Sequence, residues 1–420
     1  MLRVIESCNR ADVDALVDRR VRRDSAVERR VARIVAEVRD RGDAALLAYA
    51  RSLDDLAGPI EIGRAEMRRA TRRVPKDVRD AVSVAARAIR TVADKQVPRG
   101  WKVSTAPGVS IEGRVAPLER VGCYVPGGRY PLPSSLLMTS IPARVAGVRD
   151  IVAVCPRPDP VVMFAALEAG VDRMFRIGGA HAIAALAYGT PTVPRVDKIV
   201  GPGNAYVAAA KALVSSDCAI DFTAGPSEIV ILSAKGNPAW IAADLIAQAE
   251  HDPDARAILL TPSRRLADTV CESCLRQLPA DGPARIALKR NGALVVTRTL
   301  AEAIAICERM APEHVVCDDD AVAARVRSAG SVFVGPLTGQ ALGDYVTGSN
   351  HVLPTNGSAR ARGGLSAADF VRVWTVQRVT SRGLRTIGPA AMALATAEGL
   401  AGHAASISLR LESIRSQRTT

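Results

Sequence analysis

Glu313 and His314 stand side by side in the segment APEHVV, residues 311–316. A carboxylic acid and an imidazole are the side chains that most often transfer protons in catalysis. Adjacent side chains on a helix diverge by about 100°, which would keep this pair from sharing a substrate. The preceding proline is typical of a helix end, so we expect the pair where a helix gives way to a strand. There both side chains can face one cleft.

Other polar residues have types and spacings that fit metal or ligand binding. Gln248 and His251 in LIAQAEHD are three residues apart at the end of a helical pattern, so both can face one divalent metal, although Gln is an unusual ligand. The alternative is a structural, polar helix end. Asp344 begins a Gly/Ser/Asn-rich stretch that is either a binding segment or a surface loop. His403 follows Glu398 by five residues, and the alternative there is an ordinary helix histidine.

Two glycine-rich turns follow predicted strands, GGAHA at 178–182 and GPGNAY at 201–206. Each would place backbone amides at a helix N-terminus, a position that attracts phosphate. Neither matches the dinucleotide pattern G-x-G-x-x-G. The motifs alone therefore leave open both cofactor binding and simple tight turns.

Composition and charge exclude several classes of protein. Hydrophobic residues make up 48% of the 420 residues and charged residues 24%, as in soluble globular proteins. The net charge of +13 raises nucleic acid as a partner, but the basic residues alternate with acids and aromatic residues are only 3%. We therefore expect no nucleic-acid binding. No apolar run is long enough for a membrane span, and the acidic start does not resemble a signal peptide, so we expect a cytoplasmic protein.

The eight cysteines suggest no regular framework. Cys271 and Cys274 form one CxxC in a helical pattern, but a structural zinc site needs four ligands and no second pair is near. We interpret the cysteines as reduced thiols, which fits the cytoplasm.

The pattern of elements indicates how these residues are positioned. Residues 1 to about 95 read as charged amphipathic helices, followed by a Pro/Gly-spaced segment of short extended pieces. From residue 150, short β-branched runs alternate with helical stretches, ending with HVVC at 314–317 and SVFVGP at 331–336. This alternation predicts a doubly wound α/β fold with parallel strands in two sheets, and the tail from about residue 367 reads as helical.

Several longer motifs occur in a fixed order: VGCYVPGGRYPLPSS, VDKIVGPGNAYV, IDFTAGPSEIVI, DLIAQAEHDPDA, APEHVV, GDYVTGSNHVLPT and AEGLAGH. In these motifs the chain closely resembles the histidinol dehydrogenase family, from about residue 20 to 410. The resemblance implies an NAD-dependent alcohol and aldehyde dehydrogenase of histidine biosynthesis, with one zinc ion per subunit. It implies oxidation of L-histidinol through L-histidinaldehyde to L-histidine with two NAD. Related dehydrogenases of this fold oxidise other small alcohols, such as sulfonated diols, and this is the alternative substrate class.

The resemblance also implies roles for individual residues. His314 would be the general base for the alcohol, and Glu313 would activate the water that attacks the aldehyde. The residues implied as zinc ligands are Gln248, His251, Asp344 and His403. The substrate would contact His314, these ligands, Ser227 and Glu398. Residues implied to contact NAD are Tyr124, Asn204 and His181, the last standing where many members have a Gln.

For the whole chain the resemblance implies two incomplete Rossmann-like, doubly wound domains, one inserted in the other, with helical N- and C-terminal segments. The helical N-terminal segment would cover residues 1–23, the larger α/β domain 24–122 and 227–366, and the inserted NAD-binding domain 123–226. A helical tail, 367–420, would complete the site of the partner subunit in a homodimer with shared active sites.

Overall fold

The structure, a computed structural model, describes residues 2–18, 24–127, 130–223 and 225–416. The chain divides into two compact units. The first comprises Met1–Gln96 and Leu118–Phe370, and the second comprises Val97–Pro117 and Val371–Thr420.

Strands and helices alternate along most of the chain. The strands are β1 Arg3–Glu6, β2 Glu61–Ile62, β3 Trp101–Ala106, β4 Val109–Pro117, β5 Arg120–Tyr124, β6 Asp150–Val154, β7 Arg173–Phe175, β8 Lys198–Val200, β9 Ala219–Ile220, β10 Glu228–Leu232, β11 Arg256–Thr261, β12 Ala293–Val296, β13 His314–Cys317, β14 Ser331–Val334 and β15 Val371–Val379. The helices are α1 Arg10–Val17, α2 Ser25–Arg41, α3 Asp43–Leu53, α4 Arg64–Thr71, α5 Lys76–Gln96, α6 Pro133–Val145, α7 Pro160–Ala169, α8 Gly179–Tyr188, α9 Ala205–Val214, α10 Pro238–Ala249, α11 Arg264–Gln277, α12 Pro283–Asn291, α13 Leu300–Met310, α14 Asp320–Ala323, α15 Gln340–Tyr345, α16 Ser381–Ala397 and α17 Ala401–Ser416. Short 3-10 turns occur at Ser358–Arg360 and Ala367–Phe370.

The first sheet is parallel throughout, in the order β1-β12-β11-β10-β13-β14. The chain runs outward from β10 through β11 to β12 and then returns to β13 on the other side of β10. Side chains alternate between the two faces, as the period of a strand requires. Ile229 and Ile231 pack against α10 and α11, whereas Val230 and Leu232 pack against α13. Burial on both faces explains why these strands are continuously apolar.

The second sheet has the order β2-β7-β6-β5-β8-β9 and repeats the same winding. Only the short edge strand β2 is antiparallel to its neighbour. Its strand order reverses between β5 and β8. Helices α2, α8 and α9 bury Val31, Ile183 and Val207 in one core. The predicted doubly wound α/β class with two parallel sheets is confirmed.

The second unit contains a three-stranded antiparallel sheet in the order β15-β4-β3, followed by α16 and α17. None of the helices that the described residues form is long and apolar enough to cross a lipid bilayer.

Two details differ from the sequence-based expectations for the termini. The segment 1–23, expected to be helical, begins with β1, which pairs with β12. The tail, expected to be helical from 367, begins with the short 3-10 turn Ala367–Phe370 and continues as the nine-residue strand β15 before α16. The stretch VRVWTVQRV alternates apolar and polar residues over part of its length, and this period-2 signal was the available evidence for a strand.

The predicted limits of the inserted domain stay a prediction. The structure does show which sheet each segment joins. Residues 24–122 were grouped with 227–366, yet β2 and β5 both belong to the second sheet. Helix α2 also packs against α8 and α9 of that sheet, because its apolar stripe includes Val31 and Val38.

Candidate active site

Glu313 and His314 lie where α13 gives way to β13. The helix ends at Met310, and Ala311 adopts a left-handed conformation with φ of 46° that turns the chain into the strand. His314 is the first residue of β13, at the amino end of a central strand. The two side chains are only 5% and 3% exposed. The predicted helix-to-strand position of the pair is confirmed.

The peptide groups of Glu228 hold both side chains. The amide of Glu228 donates a hydrogen bond of 2.9 Å to Oε2 of Glu313, and its carbonyl lies 3.2 Å from Nδ1 of His314. A carbonyl can only accept, so Nδ1 carries the proton and Nε2 of His314 is the unprotonated nitrogen. The Ser227 side chain is close enough to Glu313 to act against the rise in the pKa of that carboxyl. These contacts bring together three residues that the resemblance assigned to one site.

Burial shifts the two titrating groups in opposite directions. It lowers the pKa of His314 to about 4, because the buried imidazolium loses its hydration. It raises the pKa of Glu313 well above its usual value, although the hydrogen bond from Glu228 opposes the shift. The imidazole is therefore neutral at neutral pH, and the carboxylate is a stronger base than a solvated one.

Asp344 is surrounded by side chains that can donate hydrogen bonds. It lies in the short helix α15 rather than in the predicted loop. Nε2 of Gln340 donates to its Oδ2 over 2.6 Å, and Nε2 of His251 lies 3.7 Å from the same oxygen. Nδ1 of His351 donates to its carbonyl over 2.9 Å. Burial acts to raise the pKa of Asp344, but the facing His251, His351 and His314 outweigh burial and lower it.

Gln248 lies in the last turn of α10 and is fully buried. Its amide oxygen and nitrogen both lack hydrogen-bond partners. A buried amide without partners is costly, so its oxygen fits the role of a ligand to a bound group. His251 lies just beyond the same helix with a half-exposed side chain. Among the described residues no group of three or more His, Cys, Asp or Glu could by itself hold a metal.

His403 and Glu398 belong to the second unit. Glu398 is the C-cap of α16, and His403 lies in the first turn of α17. Both side chains are exposed. Their predicted contacts with metal and substrate stay predictions.

Tyr124 connects the two glycine turns of the second sheet. It is the last residue of β5, and its hydroxyl accepts a hydrogen bond of 3.1 Å from the amide of Gly179. A Cβ on Gly201 would lie 2.2 Å from the Tyr124 carbonyl, and Gly201 has φ of +116°, so this position requires glycine. Asn204 caps α9 through bonds to the amides of Tyr206 and Val207. The turn after β8 lies where the strand order reverses, which is the ligand-binding crevice of doubly wound sheets.

His181 is 1% exposed and faces the protein interior. Its Nε2 lies 2.7 Å from Oδ2 of Asp54, which also accepts the amide of Gly178 over 2.9 Å. Its ring stacks on Tyr49 at 5.9 Å between centroids, and Nδ1 has no partner. The predicted contact of His181 with NAD stays a prediction, and the observed contacts hold the glycine turn.

Comparison with known proteins gives the family. The family model described as histidinol dehydrogenase matches residues 17–411. The chain belongs to the histidinol dehydrogenase family. A histidinol dehydrogenase of Dechloromonas aromatica is 43% identical over 98% of both chains, and one of Nitrosomonas europaea is 45% identical over 96% of both. A crystal structure of histidinol dehydrogenase from Elizabethkingia anophelis superposes with a TM-score of 0.93, at 33% identity over 99% of both chains.

This membership identifies the chain as an enzyme, an NAD-linked dehydrogenase, and confirms the resemblance that its motifs indicated. Sequence reasoning missed three residues that contact the candidate site residues: Glu228, Gln340 and His351. Glu228 and His351 stand in the motifs IDFTAGPSEIVI and GDYVTGSNHVLPT, yet their contacts run through backbone groups that a motif does not reveal.

Proposed function

We propose that the protein oxidises L-histidinol to L-histidine in two successive steps through L-histidinaldehyde. The observation that carries the proposal is the buried pair of Glu313 and His314, both held by Glu228 beside Asp344. Two proton acceptors of different chemistry in one site suit a reaction with two different substrates, an alcohol and an aldehyde.

In the first step His314 acts as the general base. Its Nε2 is unprotonated, because Nδ1 donates to the carbonyl of Glu228. Nε2 takes the hydroxyl proton of the alcohol while a hydride leaves the adjacent carbon. The Glu228 carbonyl stabilises the imidazolium that forms, and it fixes the ring orientation before the reaction.

In the second step Glu313 acts on water. Its Oε2 is occupied by the amide of Glu228, which leaves Oε1 to accept a proton from a water molecule. That water adds to the aldehyde carbon to give the hydrate, and a second hydride then leaves to give the carboxylate. The pKa of Glu313, raised by burial, strengthens it as a base for this task.

The residues present fit a zinc ion. The unpartnered amide of Gln248, together with His251 and Asp344, supplies mixed nitrogen and oxygen donors. His403 would be the fourth ligand. When bound, zinc would grip and orient the substrate and polarise its oxygen. Asp344 is held for this role by Gln340 and His351.

NAD would bind at the carboxyl edge of the second sheet and accept each hydride. Asn204 begins α9 there, where backbone amides and the helix dipole favour phosphate. Tyr124 lies beneath the adjoining turn and accepts the amide of Gly179. His181 supports the same turn through Asp54, which accepts the amide of Gly178.

We further propose a cytoplasmic homodimer in which the partner subunit completes each site. His403 and Glu398 are polar residues with exposed side chains in the second unit, available to another chain. The same helices expose Leu394 and Leu409, each 66% accessible, and exposed apolar side chains on paired helices favour association. All eight cysteines are free thiols, which supports a reducing compartment.

A substrate comparison tests the reaction. We expect two NADH for each L-histidinol consumed and only slow turnover of a sulfonated diol. Removal of zinc by a chelator should abolish turnover, and zinc analysis of the restored enzyme should give one ion per subunit. Equal or faster oxidation of the diol would favour the alternative substrate class.

Subunit mixing tests the shared site. His314→Ala and His403→Ala subunits should each be inactive alone. A hybrid dimer should regain one site that carries both native residues, so mixing should restore up to about half the activity per hybrid. If hybrids form, as mass spectrometry of labelled subunits would report, and stay inactive, the site is not shared.

A further inference from the structure

Glu228 occupies the junction of the catalytic residues. It is the first residue of β10, paired with Arg256 on β11, and β13 lies on its other side. Its amide and carbonyl bind Glu313 and His314, as described above. A small rotation of the peptide groups at Glu228 would therefore displace both catalytic side chains together.

The Glu228 side chain is fixed at both oxygens. Its Oε2 accepts from Nη1 of Arg256 over 3.0 Å, and its Oε1 accepts from the amide of Asn356 over 3.0 Å. Arg256 also donates through Nη2 to the carbonyl of Leu16. The carboxylate is thus connected to β11, to the segment after His351 and to the end of α1.

A buried ion pair of this kind is not needed for stability. Taking a carboxylate and a guanidinium out of water costs about as much as their attraction returns, so apolar residues of similar volume often stabilise as well or better. The ion pair instead fixes the orientation of the Glu228 side chain, because a carboxylate held by two donors has one orientation. Glu228 is 1% exposed and Arg256 is 8% exposed, so solvent does not relax this arrangement.

We propose that Glu228 and Arg256 are positioning residues, which orient Glu313 and His314 through the peptide groups of residue 228. This inference rests on the proposed function, since it assumes that these two residues perform the proton transfers. The side chains of Glu228 and Arg256 themselves would contact neither substrate, NAD nor metal. Misplacement of a catalytic group by about 1 Å costs on the order of 10²-fold in rate.

The double variant Glu228→Leu/Arg256→Met separates positioning from folding. It removes both charges and leaves no unpaired buried ion, although the amide of Asn356 and the carbonyl of Leu16 lose their partners. It should therefore unfold at a temperature close to that of the native enzyme. We expect kcat for histidinol and for histidinaldehyde to fall together by roughly 10²-fold, with the KM for NAD changed little. The matched control is Glu61→Leu/Arg173→Met, which removes an ion pair of 2.8 Å between β2 and β7 and should retain native kcat.

A spectroscopic signal reports the positioning directly. With ¹⁵N-labelled histidine, His314 in the native protein should give the shifts of a neutral ring protonated at Nδ1, assigned by their loss in His314→Asn. In the double variant this tautomer preference should weaken. Native kcat together with a native His314 signal in the double variant would overturn the proposal.

A milder variant covers the case in which the double variant does not fold. Glu228→Gln keeps the volume but has one oxygen, so either Arg256 or the amide of Asn356 loses its acceptor. We expect a lower unfolding temperature, because the buried guanidinium of Arg256 loses its counter-charge. In protein that remains folded at the assay temperature, kcat should fall about tenfold, which would support the proposal. An unchanged kcat would overturn it. Failure of the native enzyme to oxidise histidinol at all would instead refute the proposed function.

Discussion

Replacing Lys211 by methionine removes the cation of a buried ion pair while keeping most of the side-chain volume. Lys211 on α9 is 2% exposed, and its ammonium group bonds to the carboxylate of Asp221 and, over 3.0 Å, to the carbonyl of Gly201. The Asp221 carboxylate also accepts the amides of Gly201 over 2.8 Å and Phe222 over 2.6 Å. Both peptide groups of Gly201 are therefore fixed by this pair.

The expected loss of stability at this turn depends on the hydrogen bonds that Asp221 keeps after Lys211 is replaced. Removing one partner of a buried pair costs about 3–5 kcal/mol, because the other charge is left uncompensated. Two backbone donors remain on Asp221, so we expect the lower end, about 3 kcal/mol. At about 1.4 kcal/mol per tenfold, this is roughly a 10²-fold larger population of locally opened molecules.

Amide hydrogen exchange measures this opening directly. The amides of Gly201 and Phe222 should exchange roughly 10²-fold faster in Lys211→Met, as followed by mass spectrometry of the peptides that contain them. In Lys211→Met/Asp221→Asn no buried charge is left unpaired, and the acceleration should be smaller. Lys76→Met is the control, because Lys76 forms its 2.8 Å pair with Asp80 at the surface. An exposed pair contributes at most about 1 kcal/mol.

Two results would refute this reasoning. If Lys211→Met exchanged no faster than Lys76→Met at Gly201, the pair would not stabilise the turn. If the double variant exchanged as fast as the single one, the loss would come from packing rather than from an unpaired carboxylate.

Three further predictions concern the active site, the glycine turn and pH. Glu313→Gln should slow oxidation of supplied histidinaldehyde by about 10²- to 10⁴-fold and slow the alcohol step less. A single turnover of histidinol should then release close to one NADH. Equal loss of rate in both steps would contradict the roles given to Glu313 and His314. Gly201→Ala should weaken NAD binding measured by calorimetry, because its Cβ would clash with the Tyr124 carbonyl, and unchanged binding would remove the turn from the cofactor site. Burial raises the pKa of Asp244 to about 6. Between about pH 4 and pH 6 the folded protein therefore keeps a proton on Asp244 that the unfolded chain releases. The free energy of unfolding should fall as pH rises through this range. Asp244→Asn should therefore stabilise the protein at pH 8 and not at pH 4, as urea titrations at both pH values would report.

The sequence predicted features that depend on local pattern. The alternation of apolar strands and helices identified the doubly wound class, and proline before Glu313 placed the pair at a helix-to-strand junction. Asp344 was assigned to a loop because the glycines and serines that follow it dominate the segment. In the structure Asp344 belongs to the short helix α15, which precedes those glycines and serines. Gln340 lies one turn earlier in the same helix and donates a hydrogen bond to Asp344.

Features that depend on distant contacts were not predictable in this way. His181 and Asp54 are 127 residues apart and meet only through tertiary packing, so nothing local indicated a buried histidine. Glu228 acts on Glu313 and His314 through peptide groups, which every residue has. The membership of β2 in the second sheet likewise depends on its pairing with β7, far along the chain.

The candidate site residues lie at opposite ends of the strands in the two sheets. Glu313 and His314 stand at the amino end of the first sheet, whereas the glycine turns stand at the carboxyl end of the second. The carboxyl-end loops of the first sheet, such as the turn after Leu232 that Asp318 ties to Ser233, carry no residue assigned to the site. For protein engineering, an insertion at that edge would therefore lie away from the candidate site residues. Candidate site residues on strands offer no such freedom, since deleting one residue from β13 would turn His314 to the opposite face of the sheet.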